Sequence, residues 1–268
     1  MKITSKVFFR SFLLSFAIFA IVAGIIIASL YTDKISIDPT KEESNVLVGI
    51  SHNGDIISVA VLSCDPKNNI ITFLTIPDNT ILSDGSVLQE HYVGSTQPGF
   101  KTHIEKMIGA KIDRYLILSV EAISQITNEI GRFEYLIPYK FTYNDIEHSG
   151  QSYMNGELAF AMFTYNGYDK TKVSLANIGD SYLRSFLTKH GNPATADKIA
   201  ASISNNALKK EINTNISSDE LVKYCDFIAR YSTMLHSTVT LEGEYHTTNE
   251  NIYFYPSNLN SDHNIFKK

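Results

Sequence analysis

Few side chains in this 268-residue sequence are spaced for chemistry. Cys64 and Cys225 are the two cysteines, and neither has another Cys or a His at metal-site spacing. One long-loop disulfide in an oxidising compartment is one use for them. Two buried thiols, Cys64 ending a strand and Cys225 on an apolar helix face, is the plainer one. The eight histidines (His52, His91, His103, His148, His190, His236, His246 and His263) are scattered, with no His-x3-His pair on an expected helix. There is no Gly-x-Ser-x-Gly, no phosphate-binding Gly-x4-Gly-Lys-Ser/Thr and no dinucleotide Gly-x-Gly-x-x-Gly, so hydrolase, nucleotide-binding and Rossmann readings lack support. Asp55 follows Asn53-Gly54 and reads first as a turn aspartate. It is also the best candidate for a metal contact, which Asp78 and Asp84 join if their loop folds back.

The elements that must position these groups alternate. Asn45–Ser51, Asp55–Ser63 and Ile70–Ile76 are apolar, β-rich runs joined by turns at His52-Asn53-Gly54 and Asp65-Pro66-Lys67-Asn68-Asn69. They are apolar at nearly every position, as in a sheet covered on both faces. Phe100, Ile104, Met107 and Ile108 share a helical face. A strand is expected over Arg114–Val120, a helix over Glu121–Ile130 stopped by Gly131, and a strand over Phe133–Ile137 closed by Pro138. Residues 155–165 and 173–189 read as helices, Asn192-Pro193 breaks the chain, and two more helices follow. The second opens on the capping-box pattern Ser217-Ser218-Asp219-Glu220. Thr238–Leu241 and Asn251–Tyr255 are the last β-like pieces. Strands alternating with helices predict an α/β domain, a central sheet with helices on both faces.

Ser11–Thr32 contains no charged residue, and roughly 20 helical residues span a bilayer core. Lys2, Lys6 and Arg10 precede it, so the positive-inside bias puts the N-terminus in the cytoplasm and the rest outside. The hydrophobic stretch is long for a cleaved signal peptide. The expected organisation is a cytoplasmic N-terminus (1–10), a single transmembrane anchor (11–32), a spacer (33–44), one extracytoplasmic domain (45–256) and a polar tail (257–268). A net charge of −5 argues against a nucleic-acid partner.

Residues 45–80, NVLVGISHNGDIISVAVLSCDPKNNIITFLTIPDNT, resemble the opening of the LytR-CpsA-Psr (LCP) domain of bacterial cell envelopes. FKTHIEKMIGAKIDRYLILSVEAISQITNEIG, GQSYMNGELAFAMFTYN and ISSDELVKYCDFIARY are similar to later pieces of that domain, in the same order. The resemblance implies an enzyme that moves a glycopolymer from a polyprenyl pyrophosphate carrier onto peptidoglycan or another acceptor. It implies arginines that hold the pyrophosphate, acidic residues that hold Mg²⁺, and an apolar groove for the polyprenyl tail. A planar guanidinium suits that phosphate contact because it bonds two oxygens at once.

The sequence departs from the pattern at every charged position but one, where Asp55 keeps the acid of Arg-Ser-Asp-Thr. Gly-x-Asp reads Gly49-Ile50-Ser51, and Arg-Ser-Asp-Thr reads Asn53-Gly54-Asp55-Ile56. Pro-Arg-Asp-Thr reads Pro77-Asp78-Asn79-Thr80, and the Arg-Tyr-Arg pair reads Thr164-Tyr165-Asn166. The later Arg-x-x-Arg-Gln segment falls near Ser174–Asn177. None of the five arginines (Arg10, Arg114, Arg132, Arg184, Arg230) stands at a motif position. Lys170 and Lys172 supply candidate point charges for phosphate. Phe160 and Phe163 sit on the helix that borders the lipid groove in the family, with core packing as their plainer role. Phosphoryl transfer depends on electrostatic stabilisation. The expected function is therefore binding of a polyprenyl-linked precursor or partner with degenerate catalysis. The alternatives are an active, divergent phosphotransferase using Mg²⁺ and a structural surface domain.

Overall fold

The computed structural model describes residues 36–92, 98–169, 174–204, 208, 210–231, 237–248, 251–257 and 264–266. The expected anchor, residues 11–32, lies outside them, and no described helix is long and apolar enough to cross a membrane. The chain divides into Met1–Ile37 and a compact unit, Asp38–Lys268, which is the subject below.

In chain order the unit contains β1 (Ser44–His52), β2 (Asp55–Asp65), β3 (Ile70–Ile76), a short 3-10 turn (Leu88–His91), α1 (Pro98–Ile108), β4 (Arg114–Ser119) and α2 (Val120–Ile130). Next come β5 (Phe133–Tyr143), β6 (Ile146–Met154), α3 (Gly156–Thr164), α4 (Leu175–His190) and α5 (Pro193–Ser204). The unit closes with β7 (Ile212–Thr214), α6 (Ser218–Tyr231), β8 (Ser237–Thr240), β9 (Gly243–Thr248) and β10 (Asn251–Pro256). The central sheet has the order β7-β4-β1-β2-β3-β8. β1, β2 and β3 form an antiparallel meander, while β4 runs parallel to β1 and β8 parallel to β3.

Both sheet faces are buried, and strand periodicity divides the residues between them. Val46, Val48 and Ile50 of β1 and Ala60, Leu62 and Cys64 of β2 enter one core with α2, α3, α4 and α6. Leu47, Val59 and Val61 enter the other, which α1 covers with Phe100, Ile104 and Met107. Ile265 and Phe266, in the expected polar tail, pack against this second core. Helix α4 lies directly on β2. A Cβ at Gly179 would collide with the Ser58 side chain, so the helix approaches this closely only with glycine there.

Side chains cap several helices, one of them by the expected capping box. Ser217 and Glu220 form the reciprocal capping box of α6. Asn192 caps α5 through Thr195 N–H, with Pro193 as its first residue. Ser119 caps α2 by accepting from Ala122 N–H. The strand expected to end at Pro138 instead runs on to Tyr143 and pairs with β6 as a separate two-stranded ribbon. Pro138 falls where the register slips between Ile137 and Phe141, so its missing N–H breaks no ladder bond. Asn144 and Asp145, with φ of 50° and 60°, close that hairpin.

Candidate functional site

Three of the motif segments, Gly49–Ser51, Asn53–Ile56 and Pro77–Thr80, gather at one edge of the sheet, where β1 ends, β2 begins and β3 ends. Between β1 and β2 the chain turns in two residues, Asn53 (φ 52°) and Gly54 (φ 91°). Asn-Gly favours this type I′ turn because both residues accept positive φ. His52 pairs directly with Asp55 across it. So tight a turn supplies no loop to wrap a pyrophosphate. Asp55 is exposed and makes no side-chain hydrogen bond or ion pair among the described residues.

After β3 the chain folds back, as the gathering of carboxylates required, but it delivers them elsewhere. Leu88 N–H bonds the Thr80 carbonyl and Leu82 N–H bonds the Ser86 carbonyl. Asp84 accepts from Ser86 N–H and pairs with the Ser86 hydroxyl, which lies 2.7 Å from His91 Nε2. The His91 and His103 rings stand 4.5 Å apart. Nothing in their spacing announces this meeting, since twelve positions and a helix start separate them. Among the described residues no group of three or more His, Cys, Asp or Glu side chains is arranged to hold a metal ion.

Asp78 occupies the position where the resemblance calls for arginine. The segment around it is tied to β10: Asn79 Nδ2 donates to the Ile252 carbonyl and Phe254 N–H to the Asn79 carbonyl. The half-buried Asp78 carboxyl meets backbone amides of Asp78 and Asn79 but no cation among the described residues, and burial pushes its pKa up to about 6. The same burial, with the Asp78 charge nearby, pushes the Tyr245 phenol up.

The four described arginines are committed to the fold. Arg114 is buried and donates twice to Glu220 Oε1, at 3.0 and 2.6 Å. Arg184 grips Asp180 one turn earlier and lies 4.6 Å over the Phe73 ring. Arg230 pairs with Asp226, and Arg132 sits over the Tyr153 ring. Lys170 and Lys172 lie outside the described residues.

On the α4 side of the sheet lies a cavity of about 90 Å³ with a wholly apolar surface. Strands β1, β2 and β4 form its floor through Val46, Val48, Leu62, Leu116 and Leu118, and α2, α4 and α6 its walls. The hydroxyls on its wall are all engaged: Tyr182 and Thr127 are 2.5 Å apart, Thr127 also donates to the Ile123 carbonyl, and Tyr224 donates to Ser44 Oγ. Burial drives the Tyr182 phenol well above its ordinary pKa. Phe163 is buried and packs edge-on against Tyr182, while Phe160 is 37% exposed and meets His52. Neither lines the cavity. Cys225 does, whereas Cys64 is sealed in the sheet. Both are free thiols that burial pushes up to about 12, which leaves them inert.

A mixed sheet thus lies between two helical layers, with an apolar cavity on one face and the β1–β2 and β3 motif positions at one edge. No family model matches the sequence. A relative in Bacillus subtilis (strain 168), the polyisoprenyl-teichoic acid–peptidoglycan teichoic acid transferase TagV, is 24% identical over 224 residues, covering 76% of this chain. The chain spans 56% of that relative's length. The crystal structure of B. subtilis TagV superposes with a TM-score of 0.66 at 22% identity, over 82% of this chain and 93% of that one. A TagT structure described as bound to LI-WTA gives a TM-score of 0.59 at 14% identity, over 82% and 87%. The chain is thus similar in sequence to a teichoic acid transferase and shares the fold of these solved structures.

Proposed function

We propose that this chain is a single-pass, extracytoplasmic domain of bacterial cell-envelope assembly that holds a polyprenyl-linked glycan precursor by its tail and does not transfer the glycan. The observation that carries this reading is the contrast between the two halves of the site. The cavity beside α4 keeps an uninterrupted apolar wall, while the motif edge carries Asp78 and no guanidinium. Burying prenyl carbons stabilises binding by roughly 0.8 kcal/mol per CH₂, whatever the headgroup site has become. The uncharged Ser11–Thr32 stretch and the preceding cations support the anchor. The relative's name, a transferase of teichoic acid to peptidoglycan, supports the envelope setting.

At about 90 Å³ the cavity is smaller than the roughly 150 Å³ void that holds one benzene. A long tail therefore enters only as α4 and α6 part. The test is native mass spectrometry of the full chain in nanodiscs doped with long-chain or C5 prenyl phosphate. Retention of the long lipid, indifferent to Mg²⁺ and salt, together with no release of its headgroup, is expected. Glycan transfer with Mg²⁺, or equal retention of both lipids, contradicts the proposal.

A further inference from the structure

The second cavity of the unit lies across the sheet from the apolar one and shares no lining residue with it. It encloses about 370 Å³, within the roughly 300–1,000 Å³ of small-molecule sites. It opens beyond the C-terminal ends of β1 and β4, the parallel pair at the centre of the sheet. β1 leaves this edge through the β2 hairpin, whereas β4 leaves it into α2. Open α/β sheets bind ligands in such a crevice, where the chain departs from neighbouring strands in different directions.

The lining is polar and unevenly charged. Glu121 reaches it from the first turn of α2, and Glu211 and Lys210 from the approach to β7. Neither Glu211 nor Lys210 forms an ion pair among the described residues, and Glu121 has only His52, 3.8 Å away. Ser51, Asn53, Ser119 and Asn213 add neutral donors and acceptors. The Ser119 oxygen already accepts from Ala122 N–H, which leaves its hydroxyl proton to donate. Tyr92 is fixed as a wall through its hydrogen bond with Ser51. Two carboxylates against one ammonium, with no guanidinium, disfavour an anion and favour a cation that also carries hydroxyls.

We propose that this crevice binds a small polar ligand bearing a primary ammonium, with Glu211 and Glu121 as its anionic partners and Ser119 and Asn213 bonding its hydroxyl groups. Two sources supply the ammonium, an amino sugar and an amine lipid headgroup, and of these the sugar also supplies the hydroxyls. The charge preference is opposite to that of a pyrophosphate site.

The test uses the full chain in detergent and ligand-observed saturation-transfer NMR. Glucosamine and ethanolamine are the probes, N-acetylglucosamine the uncharged control and inorganic phosphate the anionic one. Dissociation constants on the order of millimolar are expected for the amines. N-acetylglucosamine should bind at least about fivefold more weakly, and phosphate should neither bind nor compete. Glu211→Gln, which preserves shape, should weaken the amines about fivefold and leave N-acetylglucosamine unchanged. Asn213→Phe, which fills the crevice, should abolish both. Tighter glucosamine than ethanolamine assigns the amino sugar, and the reverse order assigns the headgroup. Equal binding of the acetylated sugar, displacement by phosphate, no binding of any probe, or indifference to Glu211→Gln overturns the proposal. Because the two cavities are separate, none of these results depends on tail binding.

Discussion

Asp78→Asn replaces a carboxyl with its neutral isostere at the position where the resemblance calls for a cation. The folded-state pKa of about 6 lies above the ordinary 3.8, so the folded protein binds more protons than the unfolded one across that window. Stability conferred by the protonated carboxyl is complete below about pH 4 and declines as pH rises through about 6. The gap of roughly 2 units corresponds to about 3 kcal/mol at 1.36 kcal/mol per unit. The side chain keeps part of its surface in water, which screens the penalty, and we expect about 1–2 kcal/mol. Asp78→Asn should therefore be more stable than the parent at pH 7.5 by that amount and indistinguishable from it at pH 4. For a unit of this size the gain is about 2–8 °C in Tm. Thermal unfolding of the full chain in detergent across pH 4–8 measures it. A variant that is less stable at pH 7.5, or a difference that does not change with pH, refutes the argument. The first result would mean that a cation meets this carboxylate.

Three other expectations follow from committed side chains. Arg114→Ala strands the buried Glu220 carboxylate and should cost about 3–5 kcal/mol, seen as a lower denaturation midpoint; near-neutral behaviour would deny the pair its role. Gly179→Ala forces α4 away from Ser58 and should cost about 1–3 kcal/mol, read the same way, despite the better helix propensity of alanine. Cys64 and Cys225 should resist maleimide at pH 8 in the folded chain and react on unfolding; fast labelling of either contradicts its burial.

The meander was legible because β1 and β2 are apolar at nearly every position and Asn53-Gly54 has one strong turn preference. The capping box at Ser217 was legible because it uses neighbours in sequence, whereas Asn192-Pro193, a chain break by sequence, also caps the helix that follows. Strand β9 was not. All six of its residues are exposed, so no burial pattern betrays Glu244, Tyr245 and His246, and its partner β10 alone defines it. Pro138 misled because proline was read as a stop, while the register slip absorbs it. The motif edge could be located through the resemblance, and its missing arginines could be counted. An apolar groove was implied by the resemblance, but the lining of this cavity was not legible, because residues from β1, β2, β4, α2, α4 and α6 converge there from across the chain. The wall residues Tyr182, Leu183 and Cys225 read as ordinary apolar faces of their own helices.

The lipid tail is expected to lie between the sheet and α4, where photo-crosslinking can find it. A long polyprenyl phosphate carrying a photoreactive group near its far end is added to the full chain in nanodiscs, irradiated, and its adducts are mapped by peptide mass spectrometry. Adducts on the walls, at Leu183, Phe186, Cys225 or Ile228, and their loss when Leu183→Trp fills the space, are the predicted result. Adducts confined to residues 11–32, or unchanged by Leu183→Trp, would contradict it.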